Sequence, residues 1–233
     1  MKEFKQYKPL NIALTVVFII ALVILMITFS IGLPIYCRFF YYIQIKTLGM
    51  EQKTGWDYAT INTAYDDVLN FCTLPGYPFG TGALKWTEEE AAHFADCKVL
   101  FDLNFWGLLC SAIITATLVI LNRFKVVTIL KPLGHRAYFW AAIIAVALPV
   151  IVGLLCVIVG FDRAFNVFHA IFFPGKENWV FDWNKEQIIQ VMPEEFFMNC
   201  AIIIGVALIA VSASLITADL ILTRREKSAA ERQ

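Results

Sequence analysis

With 233 residues, 59% of them hydrophobic and only 16% charged, and a mean hydropathy of +0.68, the chain carries too little charge for a soluble domain of its size. That composition places it among integral membrane proteins. The formal net charge of zero hides an uneven distribution of charge along the chain.

An apolar stretch at residues 10–33 comes first. At ~20 helical residues per bilayer core it is long enough to span. It is too long for the core of a signal peptide and no small-residue cleavage site follows, so a retained helix is expected. Three more stretches of spanning length lie at 103–121, 139–159 and 197–222. The segments between and around them differ in charge. Lys2, Lys5 and Lys8, then Arg123, Lys125, Lys131 and Arg136, then Arg224, Arg225, Lys227 and Arg232 make 11 of the 19 basic residues. The acids Glu3, Glu226 and Glu231 are the only ones in those three segments. By the positive-inside rule both termini and the middle loop face the cytoplasm. The connections 34–102 and 160–196 then face outward, and they hold 15 of the 19 acids. The expected fold class is an all-α integral membrane protein, a single membrane domain of four transmembrane helices with an aromatic-rich, mainly helical extracellular cap.

Within the first connection, Tyr36, Phe39, Phe40, Tyr41 and Tyr42 read as an interfacial aromatic belt. Trp56, Tyr58, Tyr65, Phe71, Tyr77, Phe79 and Trp86 are strung through a loop and suggest a folded cap with its own apolar contacts. The run "TGWDYATINTAYDDVLNFC" predicts a helix with Ile61, Tyr65, Val68, Leu69 and Cys72 on one face. Thr87 followed three residues later by Glu90 is a capping box. It opens a helix expected to continue towards the second span, bringing His93, Asp96 and Lys98 down to the outer interface. In the second connection, "FNVFHAIFFPGKENWVFD" predicts a helix from Phe161 that places Asp162, Phe165, Asn166, His169, Phe172 and Phe173 on one face. Pro174 and Gly175 break it.

Cys110, Cys156 and Cys200 fall within helices and read as packing residues. Cys37, Cys72 and Cys97 lie where a disulfide could survive, and either free thiols or a pair is compatible with their number.

The histidines carry the chemical signal. His135, in "KPLGHRAYF", reads as a solvated cytoplasmic loop residue. His93 and His169 fall at matched depth on the outer side, and each has a candidate polar orienter. For His93 it is Asp96, three residues on. Each could be an ordinary interfacial histidine satisfied by a local bond; two together make acid/base chemistry an equal reading. The motifs of other reaction classes are absent: GxSxG, HExxH, GxGxxG and the P-loop. A metal site, nucleotide or nucleic-acid partner and serine nucleophile are therefore not expected. Asp219, near Arg224 and Arg225, reads as an interfacial ion pair.

These features together resemble a known family. "HFADCK" before the second span, and "FHAIFFPGKENWVFD" with "IIQVMPEEFF" before the fourth, resemble the bacterial lipoprotein intramolecular transacylases. The resemblance implies an acyltransferase of the bacterial cell membrane with its active site at the extracellular face. It would move the sn-2 acyl chain of a diacylglyceryl lipoprotein to the α-amine of the N-terminal cysteine, without a cofactor, giving the lyso-form. The family's two catalytic histidines correspond to His93 and His169. Asp96, Asn166, Phe172, Phe173, Asn178, Trp179, Phe181, Asp182 and Tyr65 are candidates for substrate binding or support, and membrane lipids would surround the site. Glu186 stands where the family favours aspartate and is given no role. The competing reading is a non-catalytic tetraspan adaptor or chaperone whose aromatic cap binds another membrane protein. A transporter is disfavoured because the spans carry almost no ionisable residues.

Overall fold

The computed structural model describes residues 9–232, and every regular element among them is helical. Lys2, Lys5 and Lys8, which the charge argument uses, lie outside the described residues. Four long helices dominate: α1 (Pro9–Tyr36), α5 (Glu88–Arg123), α6 (Ala137–Val159) and α9 (Glu194–Ala230). All four are long and apolar enough to cross a membrane. Between them lie α2 (Arg38–Thr47), α3 (Met50–Thr54), α4 (Tyr58–Thr73), α7 (Phe161–Phe172) and α8 (Ile188–Val191). The long helices leave Ile12, Ile20, Ile113, Val119, Val157, Ile202 and Val206 exposed. Such surface suits hydrocarbon and not water. The chain divides into two compact units.

One unit comprises the described residues up to Ser30, Trp106–Val150 and those from Gly205 onward. Small residues let its helices approach closely: Ala142 and Ala145 are fully buried with Met26 and Leu208. A Cβ on Gly107 would meet Thr28 Cγ2 at 3.1 Å, so glycine there sets the α1–α5 approach. The polar centre of this unit differs from the expectation. Asp219 is fully buried and pairs with His135 Nδ1 at 2.6 Å and with Arg136, not with Arg224 or Arg225. His135 is accordingly no free loop residue; its ring also stacks on Phe139 at 4.2 Å. A carboxylate with no exposed surface needs its partners within bonding distance, and the loop just before α6 supplies them.

The other unit, Ile31–Phe105 with Ile151–Ile204, is built around aromatic rings. Asp57 caps α4 by accepting the Thr60 amide at 2.8 Å. The helix buries Ile61, Ala64, Tyr65, Val68, Leu69 and Cys72, the face its apolar spacing predicts. Its last carbonyls, Phe71 and Leu74, accept from the Lys98 ammonium. Tyr41 is a core residue, not part of an interfacial belt. It is fully buried on α2, stacks on Tyr65 at 3.5 Å and 7°, and donates its hydroxyl to the Val191 carbonyl at 2.7 Å. Phe196 stands edge-on to both tyrosines. Asp67 closes the loop after α4 by accepting from the Tyr77 hydroxyl and the Gly82 amide. All six cysteines are free in this structure.

Candidate active site

Two helix starts place the two histidines. The Thr87 hydroxyl accepts from the Glu90 amide at 3.2 Å, and the Glu90 carboxylate accepts from the Thr87 amide. This reciprocal box fixes the first turn of α5, and His93 follows one turn later, only 6% exposed. Gly160, at φ +85°, is the residue between α6 and α7, where a side chain would be strained. His169, on the last turn of α7, is likewise 6% exposed. The ring centroids of His93 and His169 lie 5.8 Å apart.

The rings sit in the wall of a cavity of about 300 Å³, lined almost wholly by carbon. Phe173 and Phe181 approach His93 edge-on at 5.1 and 5.5 Å. Trp179 stacks on His169 at 4.5 Å, and Phe165 leans on the same ring at 4.2 Å. Tyr65 and Phe168 also line the chamber, which extends between Pro34, Ile35, Phe197, Cys200 and Ile204. Those last residues come from the ends of α1 and α9, so the chamber continues as an apolar slot along spanning helices. A shape of that kind suits an acyl chain.

The hydrogen bonds of the two imidazoles differ. His169 Nδ1 lies 2.8 Å from the Phe165 carbonyl oxygen. A carbonyl can only accept, so in the neutral ring Nδ1 carries the proton and Nε2 keeps its lone pair. Burial pushes the His169 pKa below its ordinary value, and the Phe165 bond opposes that only in part. The neutral, basic form is therefore favoured near neutral pH. His93 Nε2 lies 3.4 Å from the Cys97 sulfur, and its buried Nδ1 has no hydrogen-bond partner among the described residues.

The remaining candidates separate into three groups. Tyr65, Phe173, Trp179 and Phe181 line the chamber. Asp96 and Asn178 do not; Asp96 accepts from Lys176 and from Asn178, at 3.2 Å for the latter, and ties the loop after α7 to α5. The expected Asp96–His93 bond is not made, because the carboxylate turns to that ammonium while the histidine meets Cys97 one residue further on. Phe172 and Asp182 also lie outside the chamber. Phe172 is 48% exposed and packs on Phe168. Asp182 accepts the Asn184 amide and pairs with Lys185. Its own amide donates to Glu186, so these residues close a turn. Asn166 lines an adjoining, more open cavity of about 750 Å³ with Lys53, Asp162, Glu194 and Glu195. Phe165, Trp179 and Phe181 border both cavities.

Spacing alone does not single out Cys97, although its position four residues after His93 was the available signal. Pro34 and Cys200 sit in apolar runs that carry no local sign of lining a site.

Comparisons with known proteins agree with this picture. No curated protein matches the chain. A solved structure of the membrane-integral lipoprotein intramolecular transacylase Lit from Bacillus cereus matches with a TM-score of 0.81 and 20% identity, over 94% of this chain and 98% of that one. Two further structures of that protein, with one histidine changed to arginine or to alanine, match at a TM-score of 0.75 and 20% identity. They cover 94% of this chain and 95% and 96% of theirs. At that identity the likeness establishes the fold. The family model for the lipoprotein intramolecular transacylase Lit matches residues 16–197, most of the sequence. The chain therefore belongs to the lipoprotein intramolecular transacylase Lit family and is an acyltransferase that acts on lipoproteins.

Proposed function

We propose that the enzyme moves the sn-2 acyl chain of a diacylglyceryl lipoprotein to the α-amine of its N-terminal cysteine, with His93 and His169 as the catalytic pair. The observation that carries the reading is the pairing of two buried imidazoles, 5.8 Å apart, in one apolar chamber. His169 Nε2 is the base. An α-ammonium ionises near 7.7–8.0 in model peptides, roughly one unit above an ordinary histidine. Burial lowers His169 and widens that gap, so proton transfer to Nε2 is uphill and is drawn forward by the attack that consumes the free amine. The amine nitrogen then attacks the ester carbonyl through a ring of about eight atoms, which seldom closes in a mobile lipid. Holding both ends together supplies several kcal/mol of that barrier. A C–N bond forms and the C–O bond to glycerol breaks. Of the two protons the ammonium nitrogen gives up, the one taken by His169 leaves to solvent and the one lost on amide formation ends on the glyceryl oxygen. The product is an isomer of the substrate's neutral amine form.

The aromatic walls exclude water, whose attack on the same ester would release a fatty acid. The acyl chain lies in the slot towards Ile204, and the cysteinyl peptide occupies the adjoining, more polar cavity at Asn166. The connections 34–102 and 160–196 form an outward-facing cap on a single membrane domain, with both termini in the cytoplasm. Charge along the chain supports that orientation, and it sets the reaction at the outer face of the cell membrane.

Expression in a bacterium that makes diacylated lipoproteins, with mass spectrometry of the N-terminal peptide, tests the reading. An N-acyl, lyso-form cysteine is expected. An unmodified diacyl form, with the protein well expressed and inserted, would overturn it.

A further inference from the structure

The acid/base reading needs one chamber nitrogen that accepts a proton and one N–H that donates to the oxygen of the collapsing ester. His169 supplies the acceptor, fixed by the Phe165 carbonyl. What fixes His93 is its contact with Cys97. The thiol lies one helical turn along α5, 3.4 Å from Nε2. Two arrangements are open to such a pair: S–H donating to nitrogen, or N–H donating to sulfur. An imidazole lone pair is a far better acceptor than a thiol sulfur, whereas a thiol can donate. The sulfur sits in an apolar wall with Phe94 and Phe101, where a thiolate is disfavoured and the S–H is retained. Donation from sulfur to Nε2 therefore prevails. A neutral ring whose Nε2 accepts must carry its proton on Nδ1. That nitrogen is buried and unpartnered among the described residues. An unmet buried donor costs about 1–3 kcal/mol, and an oxygen that reaches Nδ1 relieves that cost.

We propose that Cys97 is a positioning residue for the reaction: its thiol donates to His93 Nε2, holds that imidazole in the Nδ1–H form, and leaves Nδ1–H to stabilise the oxyanion. The proposal rests on the transacylase reading for its chemistry. Cys97 forms no bond to the acyl group and takes no proton from the substrate. It decides which of two chemically equivalent tautomers the chamber presents. With Cys97 in place the two histidines are unlike, one acceptor and one donor, as a proton relay across one ester requires.

The test uses the full-length protein in detergent, with ¹⁵N-labelled histidine and the variants Cys97→Ser and Cys97→Ala. In the wild type, His93 Nδ1 is expected at the protonated-nitrogen shift and Nε2 at the unprotonated one. Serine, which donates to the same nitrogen, preserves both shifts and most of the acyl-transfer rate. Alanine, which cannot donate, mixes the tautomers and lowers kcat by about tenfold while KM is unchanged, as removal of a group that orients a histidine does. A His93 carrying its proton on Nε2 in the wild type would overturn the proposal. Equal rate losses in the serine and alanine variants with unchanged shifts would also overturn it, since Cys97 would then matter for packing alone. The shifts are read without substrate, so inactivity of the wild type on a diacylglyceryl peptide would count against the transacylase reading and leave the tautomer result standing.

Discussion

Replacing His169 with alanine removes the group assigned as base, and the structure fixes how much this should cost. The imidazole is held on three sides: Nδ1 on the Phe165 carbonyl at 2.8 Å, one face on Trp179 at 4.5 Å, and Phe165 at 4.2 Å. A base oriented this firmly contributes about 10²–10⁴-fold. That equals about 2.7–5.4 kcal/mol at about 1.36 kcal/mol per decade. The other imidazole of the chamber, His93, has its Nε2 against the Cys97 sulfur at 3.4 Å and does not take over as acceptor. Trp179 Nε1 donates to the Lys176 carbonyl and cannot substitute. The assay is single-turnover conversion of a synthetic diacylglyceryl-cysteinyl peptide, quantified by tandem mass spectrometry. Phe172→Ala, three residues on but outside the chamber, serves as control and should retain the rate within about twofold. A His169→Ala protein that inserts, retains its thermal midpoint and still reacts within tenfold of wild type would refute the base assignment. So would equal losses in both variants, which would point to disruption of α7 as a whole.

Three other outcomes follow from the same structure. Burial holds the His169 pKa below its ordinary value. Its basic form should therefore persist below pH 6.5, and the acid limb of kcat should lie under the usual histidine range. The linkage has a matching sign. The unfolded chain binds the His169 proton near pH 6.5 and the folded chain only at lower pH. This part of the stability is complete above about pH 6.5 and is lost as pH falls towards the folded value; a midpoint–pH slope identical in His169→Ala would contradict it. Tyr41→Phe removes a buried hydroxyl and strands the Val191 carbonyl. Unfolding in detergent should show a loss of about 1–3 kcal/mol, whereas an unchanged midpoint would place Tyr41 outside the core. Asp219→Ala removes the buried acceptor of His135 and Arg136, while Arg136 keeps Glu226 at 2.7 Å. A loss of about 1–3 kcal/mol is expected, against almost none if the carboxylate were merely interfacial.

Local rules made several features legible before the fold was known. Thr87 announces a helix start through its capping box, and the buried face of α4 follows from a 3.6-residue period. The four long helices follow from apolar length alone. His93 and His169 were legible as candidates because they fall at matched depth on the outer side, each with a polar residue at helical spacing, and His169 stands on an aromatic stripe. What stayed hidden depends on contacts distant in sequence. Tyr41 meets Val191, 150 residues away, so nothing near it separates a core tyrosine from an interfacial one. Asp219 pairs with a loop 83 and 84 residues before it, not with the neighbouring arginines.

The helix face drawn through Phe172 and Phe173 failed for a local reason. Phe173 leaves helical geometry at φ −128° and ψ 59°. It swings into the chamber, and Phe172 remains outside with Phe168. Asp96 was the natural partner for His93 by spacing, yet an ammonium outcompetes a neutral imidazole for a carboxylate, and Lys176 is present to do so. Cys97 gained its place beside His93 as a result.

The central claim is that one apolar chamber, with two histidines in its wall, transfers an acyl group within a single lipoprotein molecule. A crossover experiment tests it most directly. Two diacylglyceryl peptides, one with a deuterated sn-2 chain and one with a ¹³C-labelled peptide, are mixed with the purified enzyme, and the N-acylated products are sequenced by tandem mass spectrometry. The account predicts that each chain reappears only on the amine of its own peptide, and that His93→Ala and His169→Ala yield neither product. Deuterated chains on ¹³C-labelled peptides, or full activity in either histidine variant, would contradict it.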